Sequence, residues 1–384
     1  MLATDASPAV HSPERSRYAP QWLFSAPIDL GVFLGSAVIS LLALAVGARY
    51  GLLDADTPEW AWVPAVLLID VAHVWSTAFR VYFDPTELRR RPLLYAFVPV
   101  AALVIGMALY SEGELLFWRT LAYIAVFHFV RQQYGWVALY RARNHETDSL
   151  GRWIDTIAIY LATVYPLLYW HAHLPRRFWW LTENDWQLAP AVAEGALLLE
   201  RIAAPLYWAA LAAYAARAVY LWCVLRRPNP GKDVVVATTA VCWYVGIVTF
   251  NSDYAFTVTN VVIHGVPYFA LVYWYWQKQT PAERAGPGRH FRGLIVFFAT
   301  VWALAYIEEL FWHRGVGVAH DHTDRAWLFG AAWQTGDWKG VLAPLLAVPQ
   351  LTHYILDGFI WRRRSNPDFT LVGRTESGAT NADG

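Results

Sequence analysis

Long apolar segments recur along the chain and determine its predicted architecture. Each is long enough to cross the ~30 Å hydrocarbon core of a bilayer as a helix of about 20 residues. The ten predicted spans are residues 29–49, 61–83, 92–110, 115–140, 153–171, 196–225, 234–250, 254–277, 293–312 and 340–361. Because no alternating strand pattern is present, the sequence predicts an all-α, polytopic membrane bundle rather than a barrel.

Polar segments precede and follow these spans. Residues 1–26 are polar, and no short apolar core with a small-residue cleavage site marks a cleavable signal peptide. Residues 365–384 are rich in Gly, Ser, Thr, Asn and Asp, a composition that predicts a disordered tail. The sequence therefore predicts one transmembrane domain, residues 27–364, between a polar N-terminal segment and a polar tail.

Basic residues alternate between the two sides of the predicted bundle. Cytoplasmic connections retain Lys and Arg during insertion, so their distribution predicts orientation. The even-numbered connections and the tail hold Arg89–Arg91, Arg141, Arg143, Arg152, Arg226, Arg227, Lys232, Lys278, Arg284, Arg289, Arg292 and Arg362–Arg364. The odd-numbered connections are mostly acidic. This pattern predicts cytoplasmic termini and a multi-pass protein of a bacterial-type inner membrane.

Composition excludes several classes of protein. Hydrophobic residues make up 57% of the 384 residues and charged residues only 16%, which excludes a soluble globular chain. Thirty basic residues balance thirty acidic ones, so no overall charge indicates a nucleic-acid partner. The two cysteines, Cys223 and Cys242, lie in apolar segments and exclude a disulfide framework or a thiolate metal cluster. The predicted partners are membrane lipids and a hydrophobic small molecule.

Four histidines share one predicted depth in the membrane. His73, His128, His264 and His353 lie 12, 13, 10 and 13 residues from the outer ends of their spans. At 1.5 Å per residue this is a spread of roughly 4 to 5 Å. Ionisable groups in hydrocarbon are costly and mark function, so we expect one shared metal site. The alternative is that each histidine makes a separate hydrogen bond between helices.

Each histidine also has a polar companion one helical turn away, on the same face of its helix. Such partners orient a ligating imidazole through its second ring nitrogen. We predict catalytic roles for the charged companions, Asp70, Arg131 and Asp357, and cofactor-binding roles for Gln132, Asn260 and Tyr268. For Asp357 the alternative is an ordinary pair with Arg362 or Arg363 near the inner interface.

The donor set favours iron. Neutral imidazoles with nearby carboxylates suit iron, copper or zinc, and the lack of a cysteine ligand excludes thiolate haem and iron–sulfur sites. Iron with open coordination positions can bind dioxygen, which makes dioxygen a predicted partner. Haem and copper are the alternatives.

Other polar clusters lie near the outer surface, and for these we expect ordinary interfacial or solvated roles. They are Glu308, Glu309 and His313 at the end of the ninth span, His171 and His173, and His320, Asp321 and His322. The alternatives are that the two glutamates extend the histidine site and that the outer-loop histidines chelate a metal. The connection 313–339 is predicted to act as a lid, because Trp327, Phe329, Trp333 and Trp338 can form an apolar face at the membrane surface.

Two segments around the histidines resemble a known family. They are His264-Gly265-Val266-Pro267-Tyr268-Phe269 and His353-Tyr354-Ile355-Leu356-Asp357. Together with the four helical histidines they resemble the polytopic bacterial carotene-cleaving dioxygenases of the Brp/Blh kind. The resemblance implies a non-haem iron held by histidines on several membrane helices, and a carotenoid or related isoprenoid substrate. The paired HxxxH and HxxHH boxes of membrane fatty-acid desaturases do not occur.

The leading hypothesis is therefore a membrane non-haem iron oxygenase that acts on a hydrophobic lipid, isoprenoid or carotenoid. One alternative is a proton-coupled transporter in which the histidines and acids form a relay. A relay is expected to spread along the membrane normal, whereas the predicted histidines share one layer. A second alternative is a haem-binding electron carrier that uses the same histidines.

Overall fold

The computed structural model describes residues 18–181, 184–279, 289–317, 325–362 and 366. Within these residues the regular secondary structure is entirely helical and includes no β-strand, which confirms the all-α prediction. The helices are α1 Ala26–Arg49, α2 Glu59–Arg80, α3 Pro85–Arg90, α4 Pro92–Glu112, α5 Glu114–Arg143, α6 Ser149–Ala172, α7 Pro190–Cys223, α8 Pro230–Thr249, α9 Asp253–Gln279, α10 His290–Val316, α11 Ala326–Phe329, α12 Lys339–Leu346 and α13 Val348–Ile360.

Seven of the helices in the described part of the chain are long and apolar enough to cross a membrane. They are α1, α2, α4, α7, α8, α9 and α10, and they indicate a membrane protein. The other three predicted spans are also helical, but α5 and α6 are more polar, and the last is divided into α12 and α13. The division follows from Pro349, which lacks the N–H that would bond the carbonyl of Leu345.

The second predicted span ends three residues earlier than expected. Helix α2 stops at Arg80, and the chain turns before the short helix α3. Asp84 caps α3 by accepting hydrogen bonds from the backbone N–H groups of Thr86 and Glu87, at 2.9 and 3.2 Å. Pro85 follows at the first helical position, where a missing N–H costs nothing. This capping sequence explains the early end.

Helix α9 is the central helix of the bundle. Of its most apolar 18-residue window 89% is buried inside the protein, against 61% for α2 and only 17% for the peripheral α7. Helices α1, α2, α5, α8 and α10 all pack against it. Residues on α9 and on the facing sides of α2 and α5 are therefore removed from lipid, while α4 and α7 present apolar side chains outward.

A buried ionic network joins helices α5, α6 and α8 at one end of the bundle. Asp155 is fully buried and receives hydrogen bonds from Arg141 and, at 2.9 Å, from Lys232. Glu146 also accepts from Lys232, at 2.6 Å, and Arg217 of α7 lies 3.5 Å from Asp155. Arg141 and Lys232, which the topology prediction uses as free cytoplasmic charges, thus serve as structural partners of acids.

The connection between α6 and α7 is packed inward rather than solvated. Phe178 stacks on Phe256 of α9 with ring centroids 3.8 Å apart, and Trp180 meets Phe129 edge-on at 4.8 Å. The buried Asp185 fixes this segment by accepting the backbone N–H groups of Trp180 and Leu181, both at 2.8 Å. These aromatic rings form a cap over the centre of the bundle.

The structure describes some of the outer histidines and part of the predicted lid. The ring nitrogens of His171 and His173 meet the carbonyls of Leu167 and Tyr169 at 2.8 and 2.7 Å, so both close the end of α6 rather than facing one another as chelators. In the predicted lid Phe329 packs on Trp62, while Trp327 and Trp338 are exposed. His320, Asp321, His322 and the predicted tail, apart from Asn366, lie outside the described residues.

Candidate metal centre

Four imidazole rings form a closed ring at the centre of the bundle. They come from α2, α5, α9 and α13, the helices that carry His73, His128, His264 and His353. Going round the cluster from His73 to His264, His128, His353 and back, the ring centroids are 4.6, 5.1, 4.6 and 5.0 Å apart. All four side chains are at most 5% exposed. The structure thus brings together the four histidines that the sequence placed in one layer.

The Nε2 atoms of the four rings approach one another in two pairs. His73 and His264 have their Nε2 atoms 3.0 Å apart, and His128 and His353 have theirs 3.1 Å apart. Nitrogen atoms of His73, His128 and His353 all lie within 4.8 Å of one another, as ligands of a single ion must. His264 is not part of this group of three, but its Nε2 contacts that of His73.

Aromatic neighbours hold two of the imidazoles in position. Phe129 lies parallel to the ring of His264, with centroids 3.5 Å apart and an interplanar angle of 10°. Tyr354 stacks on His128 at 4.7 Å and 29°. Stacked aromatic rings fix the orientation of an imidazole and keep water from its faces. The site is therefore rigid and dry on these sides.

Wider π-helical turns precede two of the histidines. Residues Val63–Val71 of α2 are π-helical and lead to His73, and residues Thr257–Val261 of α9 lead to His264. Such turns rotate the following side chains relative to a regular α-helix and are frequent at functional sites. They place His73 and His264 at the point where α2 and α9 meet.

The donor set fits a metal ion that binds imidazole nitrogen. Two ligands at right angles on one ion, with bonds of about 2.1 Å, stand about 3.0 Å apart, close to the observed Nε2 separations. Nδ1 of His264 is buried and has no hydrogen-bond partner among the described residues. Imidazole nitrogens gathered in an apolar interior are costly unless each lone pair is used, and a cation uses several at once.

A hydrogen-bonded chain connects His353 to Asp357 through two other residues. Nδ1 of His353 is 2.7 Å from Oγ1 of Thr77, and that hydroxyl is 3.2 Å from the hydroxyl of Tyr268. Tyr268 in turn donates to Oδ1 of Asp357 at 2.6 Å. The direct hydrogen bond expected between Asp357 and the ring of His353 is not made, because Oδ1 of Asp357 is 3.8 Å from Nδ1 of His353 and the hydroxyl of Thr77 takes the nearer position.

Asp357 is nevertheless part of the centre. Its Oδ2 lies 3.9 Å from Nε2 of His128, and its Oδ1 also accepts from Nε1 of Trp361 at 3.2 Å. The side chain is 13% exposed. These contacts place the carboxylate beside the four histidines.

Three predicted companions do not contact the ring nitrogens. Arg131 is exposed on the far side of α5, where its guanidinium donates to Tyr160 and lies 5.1 Å above the ring of Tyr134, so a catalytic contact with the histidines is not made. Gln132 donates to the backbone carbonyl of His264 at 2.8 Å and so ties α5 to α9. Asn260 is fully buried and donates to Thr259 at 3.0 Å. Gln132 and Asn260 support the backbone around the site.

Asp70 connects the centre to a cavity on the opposite side from Asp357. Its Oδ1 lies 3.7 Å from Nδ1 of His73, and its side chain is 24% exposed. The exposed part lines a cavity of about 160 Å³ that is bounded by the starts of α2 and α9 and the end of α10. Two carboxylates, Asp70 and Asp357, therefore flank the histidines from opposite directions.

Glu308 of α10 is buried near this side of the bundle. Its carboxylate accepts the indole N–H groups of Trp75 at 2.6 Å and Trp312 at 3.2 Å. It is 3% exposed, so it is not the solvated interfacial acid that we expected. Glu309 and His313 line the cavity next to Asp70.

A buried arginine lies at the C-terminal end of α2. Arg80 is fully buried, lies 4.1 Å above the ring of Tyr275 and is 3.0 Å from Glu87. Burial raises the pKa of the Glu87 carboxyl, but the hydrogen bond from Tyr95 and the guanidinium of Arg80 lower it more, so that this pKa stands below its usual value. The carboxylate of Glu87 therefore balances the charge of the buried guanidinium at this end of the bundle.

Sequence reasoning missed Thr77, Phe129 and Tyr354. Thr77 follows His73 by four residues, the same helical spacing that identifies Asp357 after His353. Threonine is neither a usual ligand of such a metal nor a charged residue, so a search for those residue types does not find it. Phe129 and Tyr354 each follow a histidine directly, and only the packing of the helices shows that each ring reaches a histidine.

No protein-family model matches the chain, and neither the curated proteins nor the solved structures give a significant match to it. The functional argument consequently depends on the geometry of the site and on its residues.

Proposed function

We propose that this chain is an integral membrane, iron-dependent oxygenase that acts on a hydrophobic lipid or isoprenoid. The observation that carries the proposal is the convergence of four buried histidines, with Nε2 contacts of 3.0 and 3.1 Å, at the centre of a membrane bundle. The resemblance of the His264 and His353 segments to the Brp/Blh dioxygenases favours a carotenoid or related isoprenoid as substrate.

The residues of this chain have distinct roles in the proposal. His73, His128 and His353 hold the iron, and His264 is the fourth nitrogen beside them. When bound, the ion supplies the capacity to bind and activate dioxygen at positions that the protein leaves open. Thr77 fixes the orientation of His353 by bonding its Nδ1. Phe129 and Tyr354 exclude water from the faces of two imidazoles.

The proposal includes ten spans, with both termini in the cytoplasm of a bacterial-type inner membrane. Helices α5 and α6 have 30 and 24 residues, enough to cross hydrocarbon of ~30 Å. Helices α12 and α13 together continue the tenth predicted span. The polar residues of α5 that lower its hydropathy include His128, which faces the centre of the bundle rather than lipid.

A proton-coupled transporter is the second candidate, and one observation favours it. The imidazole contacts, Thr77, Tyr268 and Asp357 form a continuous chain of hydrogen-bond distances, as a proton relay requires. The convergence of the imidazoles on one point favours a metal centre over this candidate. A haem carrier is less compatible with the site, because two axial ligands must stand on opposite faces of a flat macrocycle. The Nε2 atoms within each pair are too close for that.

Isotopic oxygen tests the oxygenase proposal for any hydrophobic substrate that the expressing cells contain. Cells that express the protein are grown under ¹⁸O₂, and their membrane lipids are extracted and compared by mass spectrometry with those of cells expressing His353→Ala. We expect at least one hydrophobic product that carries ¹⁸O with the intact protein and is missing with the variant, since the variant lacks a ligand of the iron.

The control is His173→Ala, which removes an exposed histidine at the end of α6, remote from the four rings. This variant should form the same labelled product as the intact protein. Identical ¹⁸O patterns in all three cultures, at matched protein levels, would argue against an oxygenase and leave the transporter as the better account.

A further inference from the structure

The cavity that reaches Asp70 has an acidic lining. Four carboxylates line it, from Asp56, Asp70, Asp253 and Glu309. The one arginine in the described lining, Arg325, is bound to Glu59 at 3.0 Å and lies 3.7 Å above the ring of Trp62. We call this cavity the acidic vestibule. Its aromatic walls have a low dielectric and therefore strengthen the attraction of its carboxylates for cations.

The lining of the vestibule also includes a buried hydroxyl that makes no hydrogen bond to the described residues. Thr57 is 8% exposed, and its Oγ1 has no hydrogen-bond partner among the described residues. Its backbone N–H donates to Oδ2 of Asp253 at 2.9 Å, which holds the Thr57 and Asp253 segments together. Carboxylate and hydroxyl oxygens are suitable ligands for a partly hydrated divalent cation, whereas a neutral apolar molecule forms no bonds with them.

The inner end of the vestibule is adjacent to the histidines. Asp70 is partly exposed to the cavity, and its Oδ1 is 3.7 Å from the buried His73. On the opposite side of the bundle the buried guanidinium of Arg80 is paired with Glu87 at 3.0 Å, so these two groups add no net charge there. The four carboxylates of the vestibule therefore favour the approach of a cation from their side.

We propose that the acidic vestibule is the route by which a divalent metal ion reaches the four histidines. This inference depends on the proposed metal centre and adds the path by which the centre is loaded. Asp56, Asp253 and Glu309 attract the hydrated ion, and Asp70 transfers it to the imidazoles, which bind it more tightly. No covalent bond forms or breaks, and the water molecules that the ion loses return to solvent through the vestibule.

The rate of cobalt binding tests the route. Purified protein is stripped of metal in detergent and mixed with Co²⁺, whose visible absorption reports binding to histidine nitrogen. We expect Asp56→Asn with Asp253→Asn to slow binding by about tenfold, because charged clefts raise association rates by about 10 to 1,000-fold. The amount of Co²⁺ bound at the end should be unchanged. Added salt should slow the intact protein more than the double variant.

Asp54→Asn is the matched control, because Asp54 is an exposed acid two residues from Asp56 and does not line the vestibule. It should bind Co²⁺ at the rate of the intact protein. Equal rates in the double variant and the intact protein would overturn the proposed route while leaving the metal centre intact. Failure of the intact protein to bind Co²⁺ at all would instead disprove the metal centre, and the route with it.

Discussion

Replacement of His353 by alanine is expected to remove almost all iron from the purified protein. His353 contacts His128 at 3.1 Å, belongs to the group of three histidines at ligand distance and is 1% exposed. The variant lacks one of the three nitrogens at ligand distance, so the loss of affinity should exceed the about 10- to 100-fold effect of removing a partner outside the ligand set. His73→Ala and His128→Ala should behave in the same way, and His264→Ala should also lower bound iron.

The measurement is iron per chain in protein purified by an identical procedure. His173→Ala serves as the matched control and should retain full iron, since its ring nitrogen only bonds the carbonyl of Tyr169. His353→Gln, which keeps more of the side-chain volume, distinguishes loss of the ligand from collapse of the packing. Should His353→Gln fold with the thermal stability of the intact protein and keep its iron, the assignment of His353 as a ligand would be wrong.

Asp357→Asn is expected to weaken iron binding by about 10- to 100-fold, the usual effect of losing an outer partner of a ligating histidine. The amide can still accept the hydrogen bond from Tyr268, so the packing of α9 against α13 should persist. It lacks the negative charge that offsets the charge of the ion, and an N–H at the position of Oδ2 would face Nε2 of His128, 3.9 Å away. Iron occupancy, protein yield and the optical spectrum measure the effect.

Thr77→Val provides the comparison for Asp357→Asn. Valine preserves the shape of the side chain but removes the hydroxyl that lies 2.7 Å from Nδ1 of His353. We expect a similar loss of affinity and a shifted metal spectrum, because the imidazole loses its orienting partner. Full iron occupancy and an unchanged spectrum in Asp357→Asn, at reduced yield, would mean that Asp357 stabilises the fold and has no part in the metal centre.

The histidine cluster could be predicted because depth in a membrane follows from position along a helix. A rise of 1.5 Å per residue converts the location of His73 in its span directly into a height, and the same holds for His128, His264 and His353. In hydrocarbon the backbone must be helical, and an isolated ionisable side chain is costly. Both constraints apply to the four histidines. The structure accordingly brings these four rings together.

Contacts around the cluster could not be predicted in the same way. Helical spacing gives the face of a residue to within about one turn, and it does not tell which neighbouring helix supplies a nearer partner. Thr77 of α2 therefore takes the place beside His353 that spacing alone gave to Asp357. Arg131 shares the sequence spacing of the other companions, but its long side chain extends to Tyr160 at the surface.

The inward packing of the described residues between α6 and α7 was also beyond sequence reasoning. Polar and charged residues such as Arg176, Arg177 and Asp185 predict a solvated connection, yet Asp185 is buried because it satisfies two backbone N–H groups. Arg176 donates to the carbonyls of Ile247 and Phe250 at 2.8 and 2.7 Å. The inward packing of this connection depends on hydrogen bonds within it and with the distant end of α8. A local sequence pattern cannot predict such bonds.

The central claim, a non-haem iron held at the cluster of four histidines, is tested most directly by the metal content and X-ray absorption spectrum of the purified, intact protein. The account predicts about one iron per chain, no Soret band in the optical spectrum, and scattering from at least three imidazole ligands around the iron. Iron without imidazole scattering, a Soret band, or protein that binds no metal after anaerobic addition of Fe²⁺ would contradict it.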